Sequence, residues 1–313
     1  MQNNRVMLLL GALLTLVCAF FMTYHANGNW DFILPFRGKK LLLLLIMAYT
    51  IGISTLLFQT LTNNPILTPS ILGFDSLYLL VQSILVFLFG GIGFTQLNIA
   101  GKFAFETLLM LLGALLLFRT LSKNNSDLAR MILVGIIFGV IFRSVNNLLQ
   151  RMIDPNEFAV AQGSSFASFN TVNPTLLWIG TVITLVSALW IWQQRFKLDV
   201  LLLGRERAIG LGLEYHQFSR QLLICCAFLV SISTALVGPI LFLGLLVCAI
   251  VNAISPTMHH SIRIPMTFMV SAITLVSGQA VFEQVMKMQG VLSVVIEFVG
   301  GLVFIYLMLR RAK

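Results

Sequence analysis

Apolar residues lie in long, almost uninterrupted runs along this chain, and short polar segments separate the runs. A helix needs about 20 apolar residues to cross roughly 30 Å of hydrocarbon. Ten runs approach that length: 6–24, 41–61, 71–91, 101–120, 130–150, 174–194, 221–237, 240–254, 264–284 and 291–309. The pattern therefore predicts an all-α, polytopic membrane protein with about ten transmembrane helices.

Two features of this pattern are ambiguous. Only the pair Gly238-Pro239 separates the seventh run from the eighth. The first run follows the charged segment MQNNR, as the apolar core of a signal peptide would. That core is long for a signal peptide, however, and no clear small-residue cleavage site follows it. We therefore expect an uncleaved first transmembrane helix.

The polar segments between the runs are short: 25–40, 62–70, 92–100, 121–129, 151–173, 195–220 and 255–263. They leave no room for a soluble catalytic domain, so the sequence predicts a single transmembrane domain over residues 1–313. The longest outer segment contains Asp154-Pro155-Asn156, and Glu157 would lie in a first helical turn. These residues predict a short helix over 156–162, with a plain connector as the alternative.

Composition excludes an ordinary soluble protein, because 58% of the 313 residues are hydrophobic and only 10% are charged. The formal net charge of +9 would suggest nucleic-acid binding in a soluble chain. Here the basic residues are concentrated in segments that share one side if the N-terminus is cytoplasmic, as the positive-inside rule requires. We therefore expect both termini in the cytoplasm, contact with membrane lipid and no nucleic acid.

Candidate chemistry is sparse. The sequence contains no G-x-x-x-x-G-K-[ST] phosphate-binding loop, so energy for uphill transport would come from a partner or an ion gradient. The four cysteines lie in apolar runs without C-x-x-C spacing. His259 and His260 are adjacent, so on a helix their side chains would point about 100° apart. No metal site, cofactor or enzyme active site is expected.

One polar segment stands out between two long apolar runs: RERAIGLG, from Arg205 to Gly212. It predicts a helix of about two turns that a glycine ends, at Gly210 or Gly212. So short a helix is not stable alone and must pack against its own bundle or a partner. The spacing leaves both a docking element and an ordinary inner loop open.

Three motifs occur in order along the chain and together resemble the permease subunits of bacterial ABC importers for iron-siderophores, haem and cobalamin. They are Gln59, Asn64-Pro65, Pro69 and Leu72-Gly73; then Leu203-Gly204, Ala208 and Leu211-Gly212; then Gly238-Pro239-Ile240, Phe242 and Gly244-Leu245. The resemblance implies a type II ABC importer permease. The chain departs from the usual family pattern at Cys248-Ala249, at Gln289 to Ser293 and at Phe74 to Tyr78. The combination of TALVGPI and FLGLLV with IDPNEF is more like the branch for catecholate-type or related siderophores, which favours a ferric siderophore over cobalamin. The resemblance also implies the cytoplasmic membrane of a bacterium.

The resemblance also implies partners and contact residues. A coupling segment, 203–214, would touch separate ABC ATPase subunits, and its residues are Leu203, Gly204, Arg205, Glu206, Arg207, Ala208, Leu211 and Gly212. Arg37 and Lys40 would contact a periplasmic or lipid-anchored siderophore-binding protein, with interfacial anchoring as the alternative. A second permease chain, related or identical, would complete the channel.

Irregular and charged residues near the apolar runs predict a translocation pathway. Asn64 and Pro65 interrupt regular helix, which near a membrane must face protein or water. Arg143 lies within the fifth run and requires an anionic partner: Glu106, Glu297 or a ferric siderophore in transit.

The sequence thus predicts a permease that moves a ferric siderophore and is not itself an enzyme. An ion-gradient-driven secondary transporter is the first alternative, with Glu106 and Glu297 as ion sites. A membrane scaffold without transport activity is the second.

Overall fold

The computed structural model describes residues 2–24, 30–122, 128–164, 166–169, 173–255, 257–285 and 292–311. Within these ranges the chain forms α-helices and one 3-10 helix, Pro69–Leu72, and no strand. The α-helices are α1 Gln2–Thr23, α2 Trp30–Thr62, α3 Phe74–Gln96, α4 Ile99–Ser122, α5 Leu128–Met152, α6 Pro155–Ser164, α7 Pro174–Gln193, α8 Arg195–Leu201, α9 Arg205–Gly210, α10 Tyr215–Val237, α11 Leu243–Ile254, α12 His260–Gln284 and α13 Leu292–Arg311.

Eight of these helices are long and apolar enough to cross a membrane: α1, α2, α3, α4, α5, α7, α10 and α12. Two shorter apolar helices, α11 and α13, occupy the eighth and tenth predicted runs. Every predicted run therefore coincides with a helix, and the predicted all-α polytopic fold is confirmed. The short helix expected over 156–162 is also present, as α6.

The start of α2 differs from the prediction. The sequence pattern assigned all of 25–40 to a polar segment, but α2 begins at Trp30 and continues through Pro35. Charged residues at the edge of an apolar run do not stop a helix, and Asp31 in the first turn interacts favourably with the helix dipole.

Helix α2 lies at the centre of the bundle. It packs against α10, α11 and α12, and it contributes to both of the larger apolar clusters. Met47, Leu56 and Phe58 are fully buried. A helix that is apolar on all sides is expected in such a central position. By contrast, α1 is exposed along most of its length.

Two breaks between helices meet near the middle of α2. After α2 ends, the chain turns back along it through the 3-10 helix to Gly73, whose φ is +85°. A Cβ atom at Gly73 would lie 2.7 Å from Cα of Gly139 in α5, so the close approach requires glycine. The second break, between α10 and α11, passes through Gly238 with φ +110°.

Candidate functional site

The segment 203–214 forms a short helix with defined ends. Gly204 precedes α9 with φ +90°, and Gly212 follows it with φ +84°. The N–H of Gly212 donates to the carbonyl of Ile209 (2.9 Å), and that of Leu213 donates to the carbonyl of Ala208 (3.0 Å). This pair of hydrogen bonds around a left-handed glycine is a Schellman motif. The predicted helix and its glycine stop are confirmed, with Gly212 as the residue that closes it.

One side of α9 is buried against the bundle, and its other side chains are exposed. Ala208 is completely buried against the bundle, whereas Arg205, Glu206 and Arg207 are exposed. Three large apolar side chains of the same segment are also exposed: Leu203, Ile209 and Leu211. The segment therefore presents mixed apolar and charged side chains on a short, well-fixed helix.

A hydrogen-bonded cluster ties α8, the helix before α9, to two central helices. Asp199 Oδ1 accepts from the backbone N–H of His260 and lies 2.7 Å from its Nδ1. His260 is completely buried, and its Nε2 lies 2.8 Å from Oγ1 of Thr60 near the end of α2. Asp199 Oδ2 lies 3.2 Å from Nδ1 of His259. Both histidines thus contact one carboxylate.

Burial of Asp199 favours its neutral form, but the hydrogen bonds from the backbone and ring of His260 and from His259 outweigh this effect. The pKa of Asp199 therefore lies below its usual range. Asp199 is ionised at neutral pH, and the sequence interpretation did not identify it.

The two residues expected to contact a binding protein both have partners within the chain. Arg37 Nη1 donates to the backbone carbonyls of Phe21 (3.1 Å), Met22 (3.3 Å) and Tyr24 (2.6 Å) at the end of α1. The last carbonyls of a helix carry a partial negative charge, so a cation is favourable there.

Lys40 is buried and forms an ion pair with Glu283 in α12. Glu283 also accepts a 2.7 Å hydrogen bond from Gln279 Nε2. Lys40 therefore joins α2 to α12, and the neighbouring Lys39 is the exposed cation at this corner. A docking role for Arg37 and Lys40 stays a prediction.

Glu106 is not close to Arg143. It is 2% exposed, accepts a 2.7 Å hydrogen bond from Gln82 Nε2 and lies 3.7 Å from Nζ of Lys102. Lys102 in turn lies over the ring of Phe94. Glu106 thus has partners on α3 and α4, and its role as an ion site or as a partner for Arg143 stays a prediction.

Arg143 is exposed on α5, and within the described residues it forms no ion pair with Glu106 or Glu297. Glu297, half-buried on α13, accepts a long 3.5 Å hydrogen bond from the backbone N–H of Leu241. A third charged residue, Asp75, interacts electrostatically with both Arg143 and Glu297. The structure therefore gathers these charges around the two helix breaks, with Asp75 as a member that the sequence interpretation missed.

Asn64 and Pro65 shape the turn that follows α2. Gln59 Nε2 donates to the carbonyl of Pro65 (2.8 Å), and Asn64 Oδ1 accepts from the N–H of Ile66 (3.0 Å). These bonds satisfy backbone groups that leave regular helix. The first motif thus positions the 3-10 helix and Asp75.

Comparisons with known proteins agree with this geometry. A chain from a solved structure, described as an inward-facing metal-chelate type ABC transporter, superposes with a TM-score of 0.86 at 20% identity and covers 98% of this chain and 99% of that one. The petrobactin import system permease protein YclO of Bacillus subtilis (strain 168) is 44% identical over 100% of this chain and 99% of its own length. The petrobactin import system permease protein FatC of Bacillus anthracis is 35% identical over 88% of this chain and 78% of its own. The model of the FecCD transport family matches residues 6–310. This chain therefore belongs to the FecCD transport family.

Proposed function

We propose that this chain is the permease subunit of an ATP-driven ABC importer that moves a ferric siderophore of the catecholate type across the bacterial cytoplasmic membrane. The family match and the two petrobactin permeases support this function and favour petrobactin, or a siderophore with the same chelating groups, as cargo. Both termini would lie in the cytoplasm.

The observation that carries the proposal is the geometry of α9. A helix of six residues, fixed by Gly204 and Gly212, exposes both apolar and charged side chains on the side predicted to be cytoplasmic. Exposed apolar side chains bordered by charged residues are typical of a protein–protein interface. A separate ABC ATPase is the partner that would supply energy, because the sequence has no phosphate-binding loop of its own.

Movement of α9 has a direct structural route into the bundle. α8 precedes α9 by three residues and is attached through Asp199 to His260 in α12, which in turn contacts Thr60 in α2. A displacement of α9 by the ATPase would therefore act on the central helix α2 and on α12 together. Coupling of ATP hydrolysis to transport requires a structural element with two alternative arrangements. The ATPase must be able to shift the equilibrium between them.

Arg143 marks the side of the bundle on which cargo would pass. An exposed guanidinium within an apolar helix is costly against lipid and is expected to face protein or a water-filled pathway. We place a second permease chain, related or identical, opposite α5, with the pathway between the two. The positive charge of Arg143 would favour an anionic ferric chelate.

At the opposite face, we assign docking of a periplasmic or lipid-anchored siderophore-binding protein to the corner of Arg37, Lys39 and Lys40. Arg37 and Lys40 hold this corner to α1 and α12, and Lys39 offers an exposed positive charge. Charges at such contacts steer association more than they set affinity.

The experiment is co-purification of the full-length chain with its ATPase from detergent-solubilised membranes. Alanine at Arg205, Glu206 and Arg207 together should leave the chain inserted but reduce recovered ATPase at least about tenfold, a change equivalent to about 1.4 kcal/mol. Arg220→Ala, at an exposed site on α10, is the matched control and should retain the co-purified ATPase. Undiminished recovery with the triple variant would remove the docking role.

A further inference from the structure

A small cavity of about 20 Å³ lies where the two helix breaks meet α2. Its polar lining comes from Ser54 and Thr55 of α2, Thr68 and Ser70 of the first break, Asp75 in the first turn of α3, and Ser233 and Thr234 of α10. A cavity of this size has room for a water molecule or a small ion. No lysine or arginine side chain lines it. We call it the Asp75 cavity.

Asp75 brings a buried carboxylate to this cavity. Its side chain is 7% exposed and accepts a hydrogen bond from Ser70, but Oδ2 is buried and has no hydrogen-bond partner among the described residues. Ser70 and the electrostatic interaction with Arg143 compensate the buried carboxylate only in part, because Oδ2 itself has no donor and a buried anionic oxygen without one is costly. The cavity therefore favours an occupant that is positively charged or donates a hydrogen bond.

The neighbouring hydroxyl groups cannot all supply that donor. Ser54 Oγ donates its proton to the carbonyl of Ile51 (3.1 Å), and Ser233 Oγ donates to the carbonyl of Val230 (2.9 Å). Each hydroxyl then has only lone pairs left to offer the cavity. The cavity thus offers at least two hydroxyl acceptors beside one carboxylate.

Oxygen ligands with a single carboxylate suit a hard monovalent cation. Calcium takes six to eight oxygen ligands and commonly several carboxylates, and magnesium usually retains several waters, whereas this cavity offers a single carboxylate. Within the described residues, no three His, Cys, Asp or Glu side chains come together as a metal site.

We propose that the Asp75 cavity binds one monovalent alkali cation, Na⁺, through Oδ2 of Asp75 and the hydroxyl oxygens of Ser54, Thr55 and Ser233. The bound ion neutralises Asp75 and holds the 3-10 segment against α10 and the Gly238 break. Binding therefore stabilises the folded bundle, and it does so independently of the ATPase or of transport.

The test uses the full-length chain in nanodiscs and measures thermal unfolding in NaCl and in choline chloride at equal ionic strength. Saturating Na⁺ should raise the unfolding midpoint by roughly 2–4 °C or more. Binding of ²²Na⁺ should saturate near one ion per chain. Asp75→Asn should abolish both effects, whereas Glu106→Gln, which removes a buried carboxylate outside the cavity, should retain them.

A second variant keeps the test decisive if Asp75→Asn does not fold. Ser233→Ala leaves the carboxylate in place, removes one ligand oxygen and should weaken ²²Na⁺ binding about tenfold, equivalent to about 1.4 kcal/mol. Equal midpoints of the wild-type chain in NaCl and choline chloride, or an undiminished Na⁺ response in the variants, would overturn the proposal. Asp75 would then carry a proton beside a water molecule.

Discussion

Asp199 Oδ1 and His260 Nδ1 lie 2.7 Å apart, although the two residues are separated by 61 positions in the sequence. Together with the 2.8 Å contact of His260 Nε2 and Thr60 Oγ1, this pair connects α8, α12 and α2. Asp199 lies six positions before the first residue of the exposed helix α9. It gives a small surface element a rigid attachment to the centre of the bundle.

Removing the carboxylate should weaken both folding and coupling. Asp199→Ala leaves the buried ring of His260 without its acceptor, at a cost of about 1–3 kcal/mol in the free energy of unfolding. Asp199→Asn keeps an oxygen acceptor and should cost less. The measurements are thermal unfolding and binding-protein-stimulated ATP hydrolysis. Glu206→Ala, exposed on α9, is the control for stability; full stimulation with Asp199→Ala would contradict the coupling route.

The contribution of Asp199 should not depend on pH near neutrality. Its pKa is lowered in the folded chain, so its stabilising effect is complete above the unfolded value of about 3.9 and is lost only as pH falls through the lower folded value. The stability difference between the wild-type chain and Asp199→Asn should therefore be the same at about pH 6 and about pH 8. A difference that declines between these values would show that another group controls the cluster.

The ion pair of Lys40 and Glu283 should affect stability more than docking of the binding protein. Lys40→Met leaves the partly buried Glu283 without its cation and should lower the free energy of unfolding by up to about 3 kcal/mol. Adding Glu283→Gln should recover much of the loss, because no buried charge then remains unpaired. Lys39→Met, at the exposed neighbour, should have little effect on thermal unfolding. Normal stability of Lys40→Met with weaker capture of the binding protein would instead indicate a docking residue alone.

Gly73 should not tolerate a side chain. Gly73→Ala forces a non-glycine residue into the left-handed region and drives its Cβ against Gly139, which together should cost about 2–4 kcal/mol. Gly163→Ala is the matched control, because no atom lies within 4 Å of a Cβ at Gly163 in α6. Equal thermal unfolding of the two variants would show that α5 can move away from the first break.

The sequence predicts local features of this molecule well and long-range polar contacts poorly. Ten apolar runs appear as helices, and the glycine spacing around 205–212 predicts α9, because both signals depend on neighbouring residues. The pair of Lys40 and Glu283 spans 243 positions, and nothing in either local segment indicates it.

The partners of Asp75 and Asp199 are distant in the sequence as well. Asp199 is a lone acidic residue in FKLDVLLLG, and Asp75 lies in a segment notable only for departing from a family motif. A lone acidic residue within an apolar stretch is itself a usable signal, because its charge requires a partner that the tertiary structure must supply.

Arg143 should affect transport more than folding. Its side chain is exposed, so Arg143→Gln should change the free energy of unfolding by no more than about 0.5 kcal/mol. Loss of a charge-assisted contact with an anionic chelate should reduce uptake by about tenfold or more. Arg130→Gln, exposed on the same helix, is the control. Uptake should be compared per assembled complex, and equal uptake by both variants would exclude Arg143 from the pathway.

The most direct measurement of the central claim is uptake of iron-labelled ferric petrobactin into proteoliposomes that contain the permease, its partner chain and the ATPase, with the binding protein outside. We predict accumulation that requires hydrolysable ATP, stops with a hydrolysis-deficient ATPase and continues when a proton uncoupler is added. Accumulation by the permease chains without the ATPase, or its collapse with the uncoupler while ATP is unchanged, would contradict the account.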